Sequence, residues 1–237
     1  MSYDKNCLCA YIKTVGAPSA KISEALSKAK EVCKDIDFCT TENYGECRIE
    51  IIYNSDMPKV QFESMFRAVL GVLNDYVYAL EDVSLSEMFV KLLKLRKMTI
   101  SVAESFTGGG LSKRLVEIPG VSEVFFEGLN TYSNQSKVER LGVRVQTLEK
   151  YGAVSEQTAA EMAEGLISGG NCDVSISTTG IAGPNSDNTN KPVGLFYIGV
   201  ATKDGVKVYK YNLTGSRKDI TETAINYALF LAFKSIK

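Results

Sequence analysis

The sequence predicts an α/β chain: a three-layer sandwich with a mixed sheet covered by helices, preceded by a small α+β domain. Three observations carry that reading. From Ser86 onward, segments with apolar residues at helical spacing alternate with short apolar runs of strand length. Asp204-Gly205 between the last two runs is a hairpin signal, which adds antiparallel strands to the alternating order. Residues 1–82 show the same two periodicities and end in a polar connection at Glu81, Asp82 and Ser84. Two domains are therefore expected, 1–82 and 83–237.

In the small domain, Leu8 to Val15 reads as a strand ended by Gly16 and Pro18. Ser19 to Cys33 reads as a helix with Ile22, Ala25, Leu26 and Ala29 on one face. Arg48 to Tyr53 alternates as a strand, and Val60 to Leu73 returns to helix with Phe62, Phe66, Val69 and Leu73 in register. In the larger domain, a helix from Ser86 to Leu95 leads into the strand Lys97 to Ala103. Glu104-Ser105-Phe106-Thr107 and a run of glycines follow, and the next helix carries Leu111, Leu115 and Ile118 up to Pro119-Gly120. A strand from Val124 to Tyr132 precedes a short helix from Ser133 or Asn134 to Leu141, with Gly142 as its stop. After Ser155, Ala159, Met162, Ala163, Leu166 and Ile167 form one stripe, ended by Gly169-Gly170. Asp173 to Thr178 is a buried strand, Asn185 to Asn190 a polar loop, and Val193 to Thr202 with Val206 to Leu213 the hairpin. A helix from Lys218 to Phe233 closes the order.

Composition narrows the chemistry. The chain of 237 residues contains no histidine, which excludes a Ser-His-Asp triad, a His-paired cysteine and any His-containing metal site. A general base must then be a carboxylate, lysine, tyrosine or thiolate. The cysteines at 7, 9, 33, 39, 47 and 172 include no CxxC pair, and reduced thiols without a metal are expected. A thiol enzyme finds no activating neighbour in the sequence. The net charge of −1 calls for neither nucleic acid nor an anionic membrane. With no signal peptide and no apolar run near the ~20 residues that span a bilayer, a cytoplasmic location is expected.

Four segments are candidates for chemistry. Glu104 to Gly110 leaves a strand, turns through glycines and opens a helix, a place for an anion; the plainer alternative is a turn in which Ser105 or Thr107 caps the helix. In Thr131-Tyr132-Ser133-Asn134-Gln135-Ser136-Lys137, Lys137 falls near the start of a helix, whose dipole lowers an ammonium pKa; the alternative is a solvated lysine on a capped helix. Thr178 to Pro184 leaves a buried strand at the rim where α/β sheets bind ligands, or is a connecting loop. Arg217 opens the last helix and is placed to clamp a phosphate, or is an exposed helix-start arginine.

Together, AES-x-TGG, YSN-x-x-K, GAVSE, TGIAGP and KPVG, in this order over Met98 to Leu229, resemble the CinA carboxy-terminal family. Members with known activity are nicotinamide-nucleotide amidases. The resemblance extends more weakly to residues 1–97, which are similar to the KH-like segment of full-length CinA. The molybdopterin-binding-type domain that begins full-length CinA is not matched, and its pyrophosphatase activity is not expected. The resemblance implies hydrolysis of nicotinamide mononucleotide to nicotinate mononucleotide and ammonia, with no cofactor and no metal. It implies Ser105 as nucleophile, Lys137 as its base, and Tyr132 as a proton relay or an orienter of Lys137. Candidate substrate contacts are Glu104, Thr107, Gly108, Gly109, Asn134, Thr179, Gly180 and Arg217, and Glu104 is the rival base. A homodimer or higher homo-oligomer acting on a small nucleotide, without nucleic acid or membrane, is the expected setting.

Departures from the family pattern include Phe106, where many relatives carry cysteine, and Thr221, where a second arginine is frequent. They favour the competing reading, a catalytically silent nucleotide-binding or assembly module. RNA binding by residues 1–80 is disfavoured, since no GxxG loop follows the first helix.

Overall fold

The computed structural model describes residues 7–186 and 190–237 and divides the chain into two compact units, Met1–Ser84 and Leu85–Lys237. Residues 187–189 of the polar loop lie outside the described residues.

The first unit runs β1 (Cys7–Val15), α1 (Ser19–Val32), β2 (Ile36–Asn43), β3 (Glu46–Asn54), α2 (Lys59–Leu73) and β4 (Val77–Ala79). Its strands pair antiparallel in the order β2-β3-β1-β4. The apolar faces of both helices, Ile22, Ala25 and Ala29 with Met65, Val69 and Leu73, pack on Ile12, Ile49 and Ile51. This βαββαβ order is the split-βαβ, ferredoxin-like arrangement. Each helix connects two strands, and no GxxG loop follows α1, so a KH module's grip on a nucleic-acid backbone has no counterpart in this segment. Strand β2 escaped the sequence reading because its burial is confined to Ile36 and Phe38. Its turn into β3 uses Tyr44 at φ 49 and Gly45 at φ 73, the two positive dihedrals of a tight hairpin without the Asn-Gly signature.

The second unit runs α3 (Leu85–Arg96), β5 (Ile100–Glu104), α4 (Gly110–Val116), β6 (Phe125–Asn130), α5 (Asn134–Leu141), α6 (Val145–Tyr151), α7 (Glu156–Ile167), β7 (Val174–Gly180), β8 (Leu195–Thr202), β9 (Gly205–Asn212) and α8 (Arg217–Ile236). The sheet order is β6-β5-β7-β8-β9, with β6, β5 and β7 parallel and the β8–β9 hairpin antiparallel. The strand expected from Val124 to Tyr132 is shorter, and a 3-10 turn at Val121–Glu123 precedes it. Helix α6 was not anticipated: it is short, and Arg144 at its start makes no side-chain cap.

Helix α7 lies on one face of the sheet and α8 on the other, with α3 and α4 beside α8. The approach of α7 is close because the strands beneath it carry small side chains. Ser175 and Ser177 donate their hydroxyls to the Ala163 and Ala159 carbonyls at 2.7 and 2.6 Å. A Cβ on Gly199 would lie 2.6 Å from the Ala159 carbonyl oxygen. On the other face α8 buries residues all round, from Ile220 and Ala224 to Phe230 and Ile236, as a helix sandwiched in a core must. The whole sheet and both helical layers belong to residues 85–237, so this segment expressed alone should unfold in one cooperative thermal transition by circular dichroism. A molten profile would show that residues 1–84 complete its core.

Candidate active site

Strand β5 ends at Glu104, and alternation sends Glu104 and Ser105 to opposite sides of the chain. Glu104 turns into the protein and is fully buried. Its carboxylate accepts the backbone N–H groups of Gly109, Leu111 and Ser112 at 3.0, 2.9 and 2.8 Å, and the Ser112 hydroxyl at 2.7 Å. Gly108 and Gly109, at φ 62 and 94, supply the left-handed turn that aims these donors inward. The glycine turn does hold an anion, but the anion is the protein's own carboxylate. Contrary to expectation, Glu104 faces away from the cleft with its carboxylate engaged by the turn, and Gly108 and Gly109 do not line the cleft. The Gly108 N–H is likewise used, on the Ser105 carbonyl.

Ser105, on the other side, opens a cleft of about 250 Å³ at the carboxyl ends of β5 and β7. Its N–H donates to the Thr178 carbonyl, which pins it to the neighbouring strand. Lys137 comes from α5, where Ser133 caps the helix by accepting the Ser136 N–H. The side chain runs inward and is 1% exposed. Its Nζ lies 3.0 Å from Ser105 Oγ, 2.7 Å from the Thr131 carbonyl and 3.3 Å from the Tyr132 carbonyl.

An ammonium has three protons and a neutral amine two. The neutral amine can therefore donate to the two carbonyls and direct its lone pair at the serine hydroxyl. Burial lowers the Lys137 pKa to about 8, within reach of neutral pH. The sequence points to the helix dipole as the cause, whereas the structure points to desolvation by burial. Ser105 and Lys137 thus form a buried hydroxyl–amine pair at a ligand-sized opening.

The other anticipated residues divide. Tyr132 lines the cleft and is 64% exposed, and it meets Lys137 through its carbonyl rather than its phenol. Thr179 and Gly180 line the cleft, but the Thr179 hydroxyl is spent on the Ala153 carbonyl at 2.7 Å. Gly180 is needed for strand pairing, since a Cβ there would lie 2.4 Å from Phe196 Cβ. Thr107 shares a hydrogen bond with Thr178 and faces the scaffold. Asn134 lies in a separate groove with Val138, Val145 and Leu148, away from the cleft. Arg217 does reach the cleft, and its Nη1 donates to the Gly183 carbonyl at 2.8 Å.

Phe106, singled out in the sequence beside Ser105, is a wall of the cleft, and the sequence reading missed the other walls. Phe106 is locked by stacking on Phe196 at 5.4 Å. Ala153 and Val154 form one side, and Ile181 and Ala182 another. The available signals were TGIAGP, which carries Ile181 and Ala182, and GAVSE, whose Ser155 caps α7 by accepting the Thr158 N–H. No cysteine lines the cleft among the described residues, and burial raises the thiol pKa of Cys47 to about 11 and that of Cys172 upward, against a thiol mechanism. Among the described residues no helix is long and apolar enough to cross a membrane.

Comparison with known proteins agrees with this architecture. A family model described as the CinA C-terminal domain matches residues 82–236. A relative from Alkaliphilus oremlandii, named for competence-damage induction, is 48% identical over 174 residues, 73% of this chain and 41% of its own length. A CinA-like protein of Kosmotoga olearia is 40% identical over 213 residues, 86% of this chain and 51% of that protein. The chain thus spans about half the length of the curated relatives it matches. Among solved structures, the competence/damage inducible protein CihA from Agrobacterium tumefaciens is 34% identical with a TM-score of 0.60, covering 63% of this chain and 93% of that one. A competence-damaged protein (CinA) superfamily member from Escherichia coli is 32% identical with a TM-score of 0.60, over 62% of this chain and 85% of that one. With the mixed sheet, the motif order and the match over 82–236 all in agreement, this chain belongs to the CinA C-terminal domain family.

Proposed function

We propose that the chain hydrolyses the amide of nicotinamide mononucleotide, giving nicotinate mononucleotide and ammonia, with Ser105 as nucleophile and Lys137 as base. The observation that carries this reading is the 3.0 Å contact between Lys137 Nζ and Ser105 Oγ inside a histidine-free cleft. The neutral amine takes the hydroxyl proton as Oγ bonds to the amide carbon. The resulting ammonium returns that proton to the departing nitrogen, and ammonia leaves an acyl-serine. Lys137, neutral again, takes a proton from water, whose oxygen attacks the ester; that proton passes to Ser105 Oγ as the product departs, and the product acid releases its own proton to solvent to become the carboxylate.

Ammonia release tests the reading, with the mononucleotide run beside the riboside and free nicotinamide. Since Glu104 occupies the glycine turn, Arg217 is the cationic side chain at the cleft left for the phosphate. The mononucleotide should be preferred to the riboside by about 10- to 100-fold in kcat/KM, the worth of one charge-assisted contact. Arg217→Ala should remove most of that preference while leaving the riboside rate near its parental value. Equal rates on both substrates would take the phosphate out of this account. Binding without ammonia from any of the three would assign the chain to the silent-module reading.

A further inference from the structure

The loop between α6 and α7 forms one wall of the cleft, and its carbonyls are held by side chains. The Gly152 carbonyl accepts the Ser155 and Thr158 hydroxyls at 2.9 Å each, and the Ala153 carbonyl accepts that of Thr179. The two flanking carbonyls, of Tyr151 and Val154, both go to Lys191 Nζ, at 2.7 and 2.6 Å. Gly152, at φ 79, leaves room for that ammonium, since a Cβ there would stand 3.1 Å from Nζ.

Lys191 belongs to the strand-entry segment that returns along the opposite wall. Three residues on, the Gly194 N–H donates to the Ile181 carbonyl at 2.8 Å. Val193 packs so close to Gly183 that a Cβ on the glycine would lie 2.6 Å from Val193 Cγ1. Val154, Ile181 and Leu195 form one buried apolar cluster with Val193 against it. One ammonium therefore bridges the 151–154 wall to the segment that carries the 181–183 wall. These two bonds are charge-assisted and short, and neither goes to Ser105 or Lys137.

We propose that Lys191 is a positioning residue that sets the width of the cleft by clamping these two walls together, so that it acts on substrate affinity and not on the chemistry of the dyad. The kinetic part rests on the amidase reading; the structural part does not.

The test compares Lys191→Met, Lys191→Gln and Lys191→Arg in the full chain. Loss of both charge-assisted bonds in the Met variant should raise KM for nicotinamide mononucleotide about tenfold, with kcat within about twofold. The pH midpoint of kcat should not move. Arginine, with several donors, should hold KM within about threefold of the parent, and glutamine should fall between. Amide hydrogen exchange needs no turnover: in the Met variant, or in Gln if Met does not fold, residues 151–155 and 181–183 should lose protection together. If the parent chain releases no ammonia, the amidase reading fails and exchange alone decides the clamp. Unchanged exchange, loosening of one wall only, a fall in kcat at constant KM, or an Arg variant no better than Met would each overturn it.

Discussion

Ser105→Ala and Lys137→Ala should each reduce amide hydrolysis by at least about a thousandfold, the scale on which groups acting as one catalytic unit matter. The double variant should be little worse than either single one. A serine hydroxyl is a poor nucleophile without a base, and the base has no function without the hydroxyl it serves. Nucleotide binding, measured by calorimetry, should survive in Ser105→Ala, because the change removes one oxygen from a cleft whose walls stay in place. In the parent, kcat should rise with pH through about 8 as Lys137 loses its proton. At pH 7 only about a tenth of the chains then hold the competent neutral amine. Near-normal turnover in Lys137→Ala, or additive losses in the double variant, would remove the Ser-Lys assignment.

The largest effect on stability should come from Glu104→Ala. That change takes away the acceptor of three backbone N–H groups and one hydroxyl, all drawn to a carboxylate with no exposure to water. Unsatisfied buried donors and a lost helix cap together cost on the order of 3 kcal/mol. For a unit of this size that is roughly a 10 °C fall in Tm. Glutamine does not rescue, since its amide group presents protons where only an acceptor fits. Thermal unfolding of the 85–237 segment reads both variants. A Glu104→Ala protein melting within 2 °C of the parent would show that water or rearranged backbone replaces the carboxylate.

What could be read in advance followed physical lines. The stripe of Ala159, Met162, Ala163 and Leu166 announced α7 because its period matches its burial. Ser105 and Lys137 are paired by the resemblance to the CinA family, and the absence of histidine agrees with a lysine base. What stayed hidden was direction. Glu104 and Ser105 are neighbours, and only the sheet decides which faces the cleft. Thr107, Thr179 and Asn134 are polar residues in loop-rich motifs, yet their hydroxyls or positions serve the scaffold or another groove. Val154, a plain apolar residue, stands in a wall of the cleft with its carbonyl on Lys191, 37 residues away in the chain. A long-range tether of that kind leaves no local periodicity to detect.

The thin floor beneath α7 bears on how related chains should be compared. Ser175, Ser177 and Gly199 set the height of that helix above the sheet, and the chain enters the helix directly from the Ala153–Val154 wall. The bore of the cleft is thereby written partly in residues that no substrate meets. A homologue with one extra methyl at 177 or 199 keeps every lining side chain while its wall rides at a different height. Identity of lining residues is therefore an incomplete measure of shared substrate range in this fold, and the gauge that completes it is buried on the far side of a helix.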